Sequence, residues 1–167
     1  SLFFDYDLDG DVDMYLLNHS VHQNGSFAPR PNFSNTYSTL SGDRIFRNDG
    51  SSPGAAGKKN TPDLVFAEVT REAGINSSSI GYGLGIAASD INADGYPDLY
   101  IGNDFHENDY LYINQHNGTF RDENDQHLMH TSKFAMGVDV ADANNDGSPE
   151  IISMDMLPSD PYILKRS

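Results

Sequence analysis

The sequence predicts an all-β protein built from repeated four-stranded antiparallel units. Of its 167 residues, 20 are Asp, 15 are Asn and 15 are Gly, and these residue types favour turns and disfavour helices. One nine-residue pattern, D-x-[D/N]-x-D-G-x-x-[D/E], occurs three times, starting at Asp5, Asp90 and Asp142. A motif that recurs in this way indicates an array of similar structural units.

The first strand of each unit lies before the acidic loop. Residues 81–87 (GYGLGIA) precede the second loop and residues 134–140 (FAMGVDV) precede the third. Glycines inside strands indicate backbones that approach one another closely, so we expect these strands at a crowded centre. A nucleotide-binding loop is the alternative interpretation of the glycine-rich segment. It would need a following helix with a Lys, whereas more strand follows here.

The second strand of each unit follows the loop. Short apolar runs occupy residues 12–17, 97–101 and 149–154. They are rich in β-branched and aromatic residues, which are enriched in strands.

The third and fourth strands form a hairpin. Asn117-Gly118, a strong turn signal, separates residues 110–114 from residues 118–121. A variant of this hairpin lies upstream, with strands at residues 44–48 and 64–69 and Asp49-Gly50 as the predicted turn. Each unit is therefore predicted to contain four short strands, with the acidic loop between the first and the second.

The spacing of the three loops divides the chain. We expect a first unit at residues 1–80, a second at 81–133 and the start of a third at 134–167. The first unit contains two insertions, at residues 19–42 and 51–63, which are rich in Ser, Asn, Gly and Pro and are predicted to be long surface loops.

The charge and composition exclude several classes of function. The formal net charge is −15, which argues against nucleic acid or an anionic membrane as a partner. No apolar run approaches the roughly 20 residues that a membrane-spanning helix needs, so membrane insertion is not expected. The chain has no Cys, which excludes disulfides, zinc-thiolate sites and cysteine nucleophiles.

The acidic loops have the chemistry of calcium sites. Calcium binds six to eight oxygens, and acids at alternating positions turn several side chains toward one point. Without a cation, such crowded carboxylates would repel one another. The predicted ligands, with a backbone carbonyl from the seventh residue of each loop, are Asp5, Asp7, Asp9, Asp13 and the carbonyl of Asp11; Asp90, Asn92, Asp94, Asp98 and the carbonyl of Tyr96; and Asp142, Asn144, Asp146, Glu150 and the carbonyl of Ser148.

The sixth position of each loop is Gly10, Gly95 or Gly147, where a sharp turn needs the positive φ that Gly adopts easily. Up to three Ca²⁺ ions are therefore expected. Mg²⁺ demands a stricter octahedral geometry, and zinc prefers imidazole or thiolate ligands. An EF-hand is excluded because it needs Glu at the twelfth position and flanking helices. Solvated turns without metal are the alternative interpretation of these loops.

These features resemble the FG-GAP and VCBS repeats of the β-propeller in integrin α-subunits, and more closely the propellers of bacterial proteins similar to cartilage acidic protein. The resemblance rests on the three loops and on four further segments. These are residues 108–114 (NDYLYIN), 117–120 (NGTF), 66–70 (FAEVT) and 73–75 (AGI).

The resemblance implies a β-propeller in which each repeat is one four-stranded blade with a calcium site between its first two strands. A closed propeller needs four to eight blades, so the chain is expected to be a segment of about three blades in an incomplete ring. The remaining blades of a parent chain are then expected partners. The metal would stiffen the loops, and no enzymatic activity is expected.

The leading functional hypothesis is a calcium-binding scaffold for binding or adhesion, secreted or on the cell surface, with any signal peptide outside this sequence. A protein or a glycan is the expected ligand, and Phe27, Phe33 and Tyr37 in the first insertion are candidate contacts. One alternative is an accessory or catalytic propeller acting on polysaccharide, with Asp104 and Glu107 as candidate paired carboxylates. A purely structural repeat array is the other.

Two pairs of histidines are spaced three residues apart, His19 with His22 and His127 with His130. No Glu completes an H-E-x-x-H zinc motif, so surface histidines are expected instead.

Overall fold

The computed structural model describes residues 1–20, 36–52, 63–105 and 107–156. They form three antiparallel sheets and one short helix, α1, at Asn124–His127. The first sheet contains β1 (Leu2–Phe4), β2 (Asp13–Leu16), β3 (Arg44–Ser52) and β4 (Asp63–Glu68); the second contains β5 (Gly83–Ser89), β6 (Asp98–Asn103), β7 (Tyr110–Asn114) and β8 (Phe120–Asp122); and the third contains β9 (Ala135–Ala141) and β10 (Glu150–Asp155).

The strand order confirms the predicted fold class. The two four-stranded sheets run in simple sequence order, β1-β2-β3-β4 and β5-β6-β7-β8. In all three sheets an acidic loop connects the first strand to the second. The sheets do not close on themselves, which agrees with an incomplete propeller. Among the described residues, no helix is long and apolar enough to span a membrane.

The prediction of a turn at Asp49-Gly50 was wrong. Strand β3 continues to Ser52, which pairs with Asp63 of β4, and the register shifts between Asn48 and Ser51. Gly50 has a φ of 70°, so Asp49-Gly50 forms an irregularity within the strand and does not end it. The predicted second insertion therefore overlaps the two strands at Ser51, Ser52 and Asp63. Its residues 53–62 lie outside the described part of the chain.

Two hydrophobic clusters hold the sheets together. In the first, Tyr15 and Ile45 from the first sheet join Leu99, Ile101 and Tyr112 from the second. In the second, the opposite face of the second sheet packs on the third sheet through Tyr100, Leu111 and Ile113 on one side and Val138, Val140 and Ile151 on the other. The sheets therefore stack face to face in chain order, with the second sheet in the middle.

Gly85 of β5, before the second loop, lies where two backbones meet closely, as predicted, and Gly102 of β6 lies against side chains of β9. A Cβ atom on Gly85 would lie 2.7 Å from the backbone nitrogen of Val138, and one on Gly102 would lie 2.7 Å from Val138 Cγ1. Strand β9 can approach β5 and β6 this closely because both positions lack a side chain.

Candidate metal centre

The three acidic loops share one backbone conformation. The sixth residue has positive φ in each, at 95° for Gly10, 91° for Gly95 and 93° for Gly147. A Cβ atom on these glycines would meet nothing within 4 Å. Glycine is therefore required here by backbone conformation and not by space, as the sequence predicted.

A second left-handed position was missed by sequence reasoning. The fourth residue of each loop also has positive φ, at 59° for Leu8, 60° for Ala93 and 64° for Asn145. Leu and Ala seldom adopt this conformation, and only Asn tolerates it well. These three residue types share no property that favours positive φ, so the sequence did not predict it. We attribute the conformation to the hydrogen bonds of the loop.

The first Asp of each loop organises those hydrogen bonds. Its carboxylate accepts from the backbone N–H groups of the fifth and sixth residues. The N···O distances are 3.2 and 3.0 Å at Asp5, 2.9 and 2.9 Å at Asp90, and 3.0 and 2.8 Å at Asp142. The carboxylate of the fifth residue accepts from the N–H of the seventh at 2.9 Å in all three loops, at Asp9, Asp94 and Asp146.

The ninth residue anchors the loop to its sheet. Asp13 and Asp98 are fully buried. Asp13 accepts from the backbone N–H groups of Tyr6 at 3.1 Å and Asn48 at 2.8 Å. Asp98 accepts from those of Ile91 at 2.9 Å and Asn114 at 2.8 Å. Burial raises the pKa of both carboxyl groups, and this effect outweighs the opposite effect of the N–H donors.

Asn48 and Asn114 are site-building residues that sequence reasoning missed. Each donates its side-chain amide to the carbonyl of the eighth loop residue, Val12 or Pro97, at 3.1 Å. Asn114 also donates to the carbonyl of Tyr6 at 2.8 Å, so it ties the first loop to the second sheet. The available signal was an Asn that ends both third-strand runs, IFRN and YLYIN.

The first loop brings three acidic side chains together. Carboxylate oxygens of Asp5, Asp7 and Asp13 lie within 4.8 Å of one another. One oxygen of Asp7, Oδ1, is buried and has no hydrogen-bond partner. Desolvation, and then the neighbouring charge of Asp9, raise the pKa of Asp7. A buried carboxylate oxygen without a hydrogen-bond partner, on a side chain that belongs to a cluster of carboxylates, fits a calcium ligand.

The second loop is arranged differently. Asp94 Oδ2 lies 2.8 Å from His116 Nε2 and accepts from the side-chain amide of Asn92 at 2.7 Å. The hydrogen bond with His116 is the main reason why the pKa of Asp94 is lowered. The imidazole also stacks on Tyr96, with ring centroids 4.2 Å apart. His116 was not among the predicted site residues, because contact with a residue 22 positions away leaves no local sequence signal.

In the third loop, Glu150 accepts from the backbone N–H of Ala143 at 2.8 Å and from the side-chain amide of Asn144 at 2.5 Å. Within residues 1–20, 36–52, 63–105 and 107–156, three acidic or histidine side chains converge in the first loop but not in the second or third. The metal-ligand roles of Asp11, Tyr96 and Ser148 through their carbonyls stay predictions.

Other candidate residues have different environments. Asp104 and Glu107 are 5% and 7% exposed, and their role as paired carboxylates toward a polysaccharide stays a prediction. Two guanidinium groups lie over the ring of Tyr37, with its centroid 4.8 Å from Arg44 Cζ and 4.3 Å from Arg71 Cζ. Phe27, Phe33 and His22 lie outside the described residues.

Comparison with known proteins gives one family. Residues 90–153 match the FG-GAP-like repeat, a segment that begins at the first Asp of the second loop, ends within β10 and includes the third loop. This confirms the predicted FG-GAP resemblance for that segment, while the finer likeness to VCBS and integrin propellers stays a prediction. No curated protein matches the chain.

Proposed function

Since residues 90–153 match the FG-GAP-like repeat, we propose that the chain is a calcium-stabilised segment of a propeller-type repeat domain that acts as an extracellular scaffold for binding or adhesion. The observations that carry the proposal are the convergence of Asp5, Asp7 and Asp13 within 4.8 Å of one another and the buried, unpaired Oδ1 of Asp7.

Calcium would be held first by these three carboxylates, with Asp9 and the carbonyl of Asp11 as further ligands. When bound, the ion supplies positive charge to a cluster whose net charge is otherwise strongly negative. The protein's own contribution is to fix the donors in place. Asp5 is held by two loop N–H groups and Asp13 by Tyr6 and Asn48. We propose equivalent but less assembled sites at the second and third loops.

We propose an extracellular location, where calcium is abundant enough to fill sites of modest affinity. Calcium-binding modules outside cells bind with dissociation constants of about 10⁻⁴ to 10⁻³ M, which suits the millimolar calcium found there. The net charge of −15 supports a protein or glycan partner over nucleic acid, and we propose further propeller blades as additional partners.

Calorimetric titration of the EDTA-treated chain with CaCl₂ tests the proposal. We expect saturable binding and a higher melting temperature in calcium than in EDTA. Asp7→Asn should weaken calcium binding at the first loop because it replaces the carboxylate of Asp7 with a neutral amide. Asp125→Asn is the matched control, since it removes the same charge from exposed Asp125 in α1. Binding that is absent, or equal in Asp7→Asn and in the unmodified chain, would contradict the proposal.

A further inference from the structure

One side chain distinguishes the second acidic loop from the first. His116 lies two residues beyond the end of β7, and its Nε2 is 2.8 Å from Oδ2 of Asp94, the fifth residue of the second loop. Because an ionised carboxylate only accepts hydrogen bonds, Nε2 is the donor in this contact.

The first loop has the same backbone arrangement without this side chain. Gly50 comes two residues after Asn48, and His116 comes two residues after Asn114. The N–H group of each donates to the side-chain carbonyl of its Asn at 3.0 Å. Both residues have positive φ, at 70° for Gly50 and 60° for His116. The two positions are therefore equivalent, and only the second one carries an imidazole.

The imidazole engages a carboxylate oxygen that the loop backbone leaves available. Asp94 Oδ1 accepts from the N–H of Tyr96 at 2.9 Å. Its other oxygen, Oδ2, accepts from His116 and also from the side-chain amide of Asn92 at 2.7 Å. Both oxygens of a predicted calcium ligand are thus held by donors of the protein itself.

The first loop differs at the same two places. Asp9 accepts from a loop N–H at 2.9 Å, as Asp94 does, but Gly50 has no side chain that could donate to its second oxygen. At the third position, Oδ1 of Asp7 is buried without a partner, whereas the equivalent Asn92 is bonded to Asp94. The second loop is therefore closed by side-chain hydrogen bonds that the first loop lacks.

Tyr96 fixes the orientation of the imidazole. The two rings are stacked, with centroids 4.2 Å apart and planes inclined by 15°. Tyr96 is the seventh residue of the loop, whose carbonyl is a predicted calcium ligand. His116 is thus held against two members of the same loop, by a ring contact at Tyr96 and by a hydrogen bond at Asp94.

We propose that His116 is a positioning residue that lowers the calcium affinity of the second loop, because its imidazole competes with the cation for Asp94 Oδ2. The inference rests on the proposed calcium function and deepens it, since it makes the two loops fill at different calcium concentrations. The first loop, with Gly50 at the equivalent position, has no such competitor and fills first.

Calcium titration of the EDTA-treated full chain by NMR, at constant pH, follows the two loops separately through the amides of Gly10 and Gly95. His116→Gly gives the second loop the residue type of the first, and Gly suits the positive φ. We expect binding at Gly95 to become about three- to tenfold tighter, because a partly exposed hydrogen bond to a charged acceptor is removed. Binding at Gly10 should not change. His130→Gly, which removes an exposed imidazole beyond α1, is the matched control and should change neither affinity.

Thermal unfolding separates this role from a merely structural one. A residue that only holds the loop together would lower the melting temperature equally in CaCl₂ and in EDTA when it is removed. We expect His116→Gly to lower the melting temperature less in CaCl₂ than in EDTA, because tighter calcium binding stabilises the folded variant more.

The role of His116 is overturned if calcium binds no more tightly at Gly95 in His116→Gly while Gly10 still responds to calcium. Equal losses of melting temperature in the two buffers would overturn it as well. Both results would leave the proposed function in place. A calcium response that is absent at both amides, in the unmodified chain and in the variant, would instead refute the proposed function and this inference with it.

Discussion

At the scale of single residues, Asp43 shows how burial and hydrogen bonding compete. Its carboxylate accepts from the Tyr15 hydroxyl at 3.0 Å and from the Asn18 N–H at 2.8 Å. Burial outweighs both donors and raises the pKa of Asp43 to about 7. Asp109 occupies the equivalent place in the second sheet, where it accepts from the Tyr100 hydroxyl at 2.6 Å and from the Asn103 N–H at 2.7 Å.

The raised pKa of Asp43 predicts a pH dependence of stability. An unfolded Asp ionises near pH 3.9, whereas the folded carboxyl stays protonated to about pH 7. Its contribution to the free energy of unfolding is therefore complete below pH 4 and is lost as the pH rises to 7. From pH 5 to pH 8, the free energy of unfolding of the Asp43→Asn variant should rise by about 2–3 kcal/mol relative to that of the unmodified chain. Urea unfolding at both pH values measures this, and a difference that does not change with pH would contradict it.

At the scale of elements, the sequence was informative where local chemistry decides the structure. The glycine-containing runs before the loops, the apolar runs after them and the hairpin signal predicted β5, β6, β7, β9 and β10 to within two residues at each end. It failed where distant contacts decide. The contact of Asp94 with His116 depends on a neighbour 22 residues away that no local pattern specifies. Helix α1 was also not predicted, because four residues leave too short a period to detect.

The close approach of β5 and β9 predicts the effect of adding one methyl group. In Gly85→Ala, the new Cβ would lie 2.7 Å from Val138 N and 3.1 Å from Gly137 Cα, and backbone atoms cannot move aside as a flexible side chain can. We expect a loss of about 1–3 kcal/mol in the free energy of unfolding by urea. Gly81→Ala is the control, since its Cβ would lie 3.9 Å from the Tyr110 hydroxyl. Equal stability of the two variants would contradict the packing argument.

At the scale of the whole molecule, Asn114 connects the first loop to the second sheet. Its side-chain amide donates to Pro97 O in its own sheet and to Tyr6 O, between Asp5 and Asp7. The geometry of the first candidate calcium site therefore depends on a residue in the next unit. The sequence predicted three similar loops, but it did not reveal this dependence because 108 residues separate the partners.

Removing this connection should affect both stability and metal binding. Asn114→Ala leaves two carbonyl groups without this donor, and we expect a loss of about 1–3 kcal/mol in the free energy of unfolding. Calcium should also bind the first loop more weakly, which titration of the Tyr6 amide by NMR measures. Gln126→Ala, at an exposed position of α1, is the control for an amide that makes no such connection. Unchanged calcium binding in Asn114→Ala would show that the first loop is independent of the second sheet.

The bond between Asn114 and Tyr6 also sets an order of events on the ribosome. Polypeptides grow at about 5–20 residues per second, so Asn114 is added roughly 5 to 20 seconds after Tyr6, from which it is separated by 108 residues. Until then the nascent first loop lacks one of its supports. Its acidic pocket therefore gains this support only when the succeeding unit has emerged and folded against it.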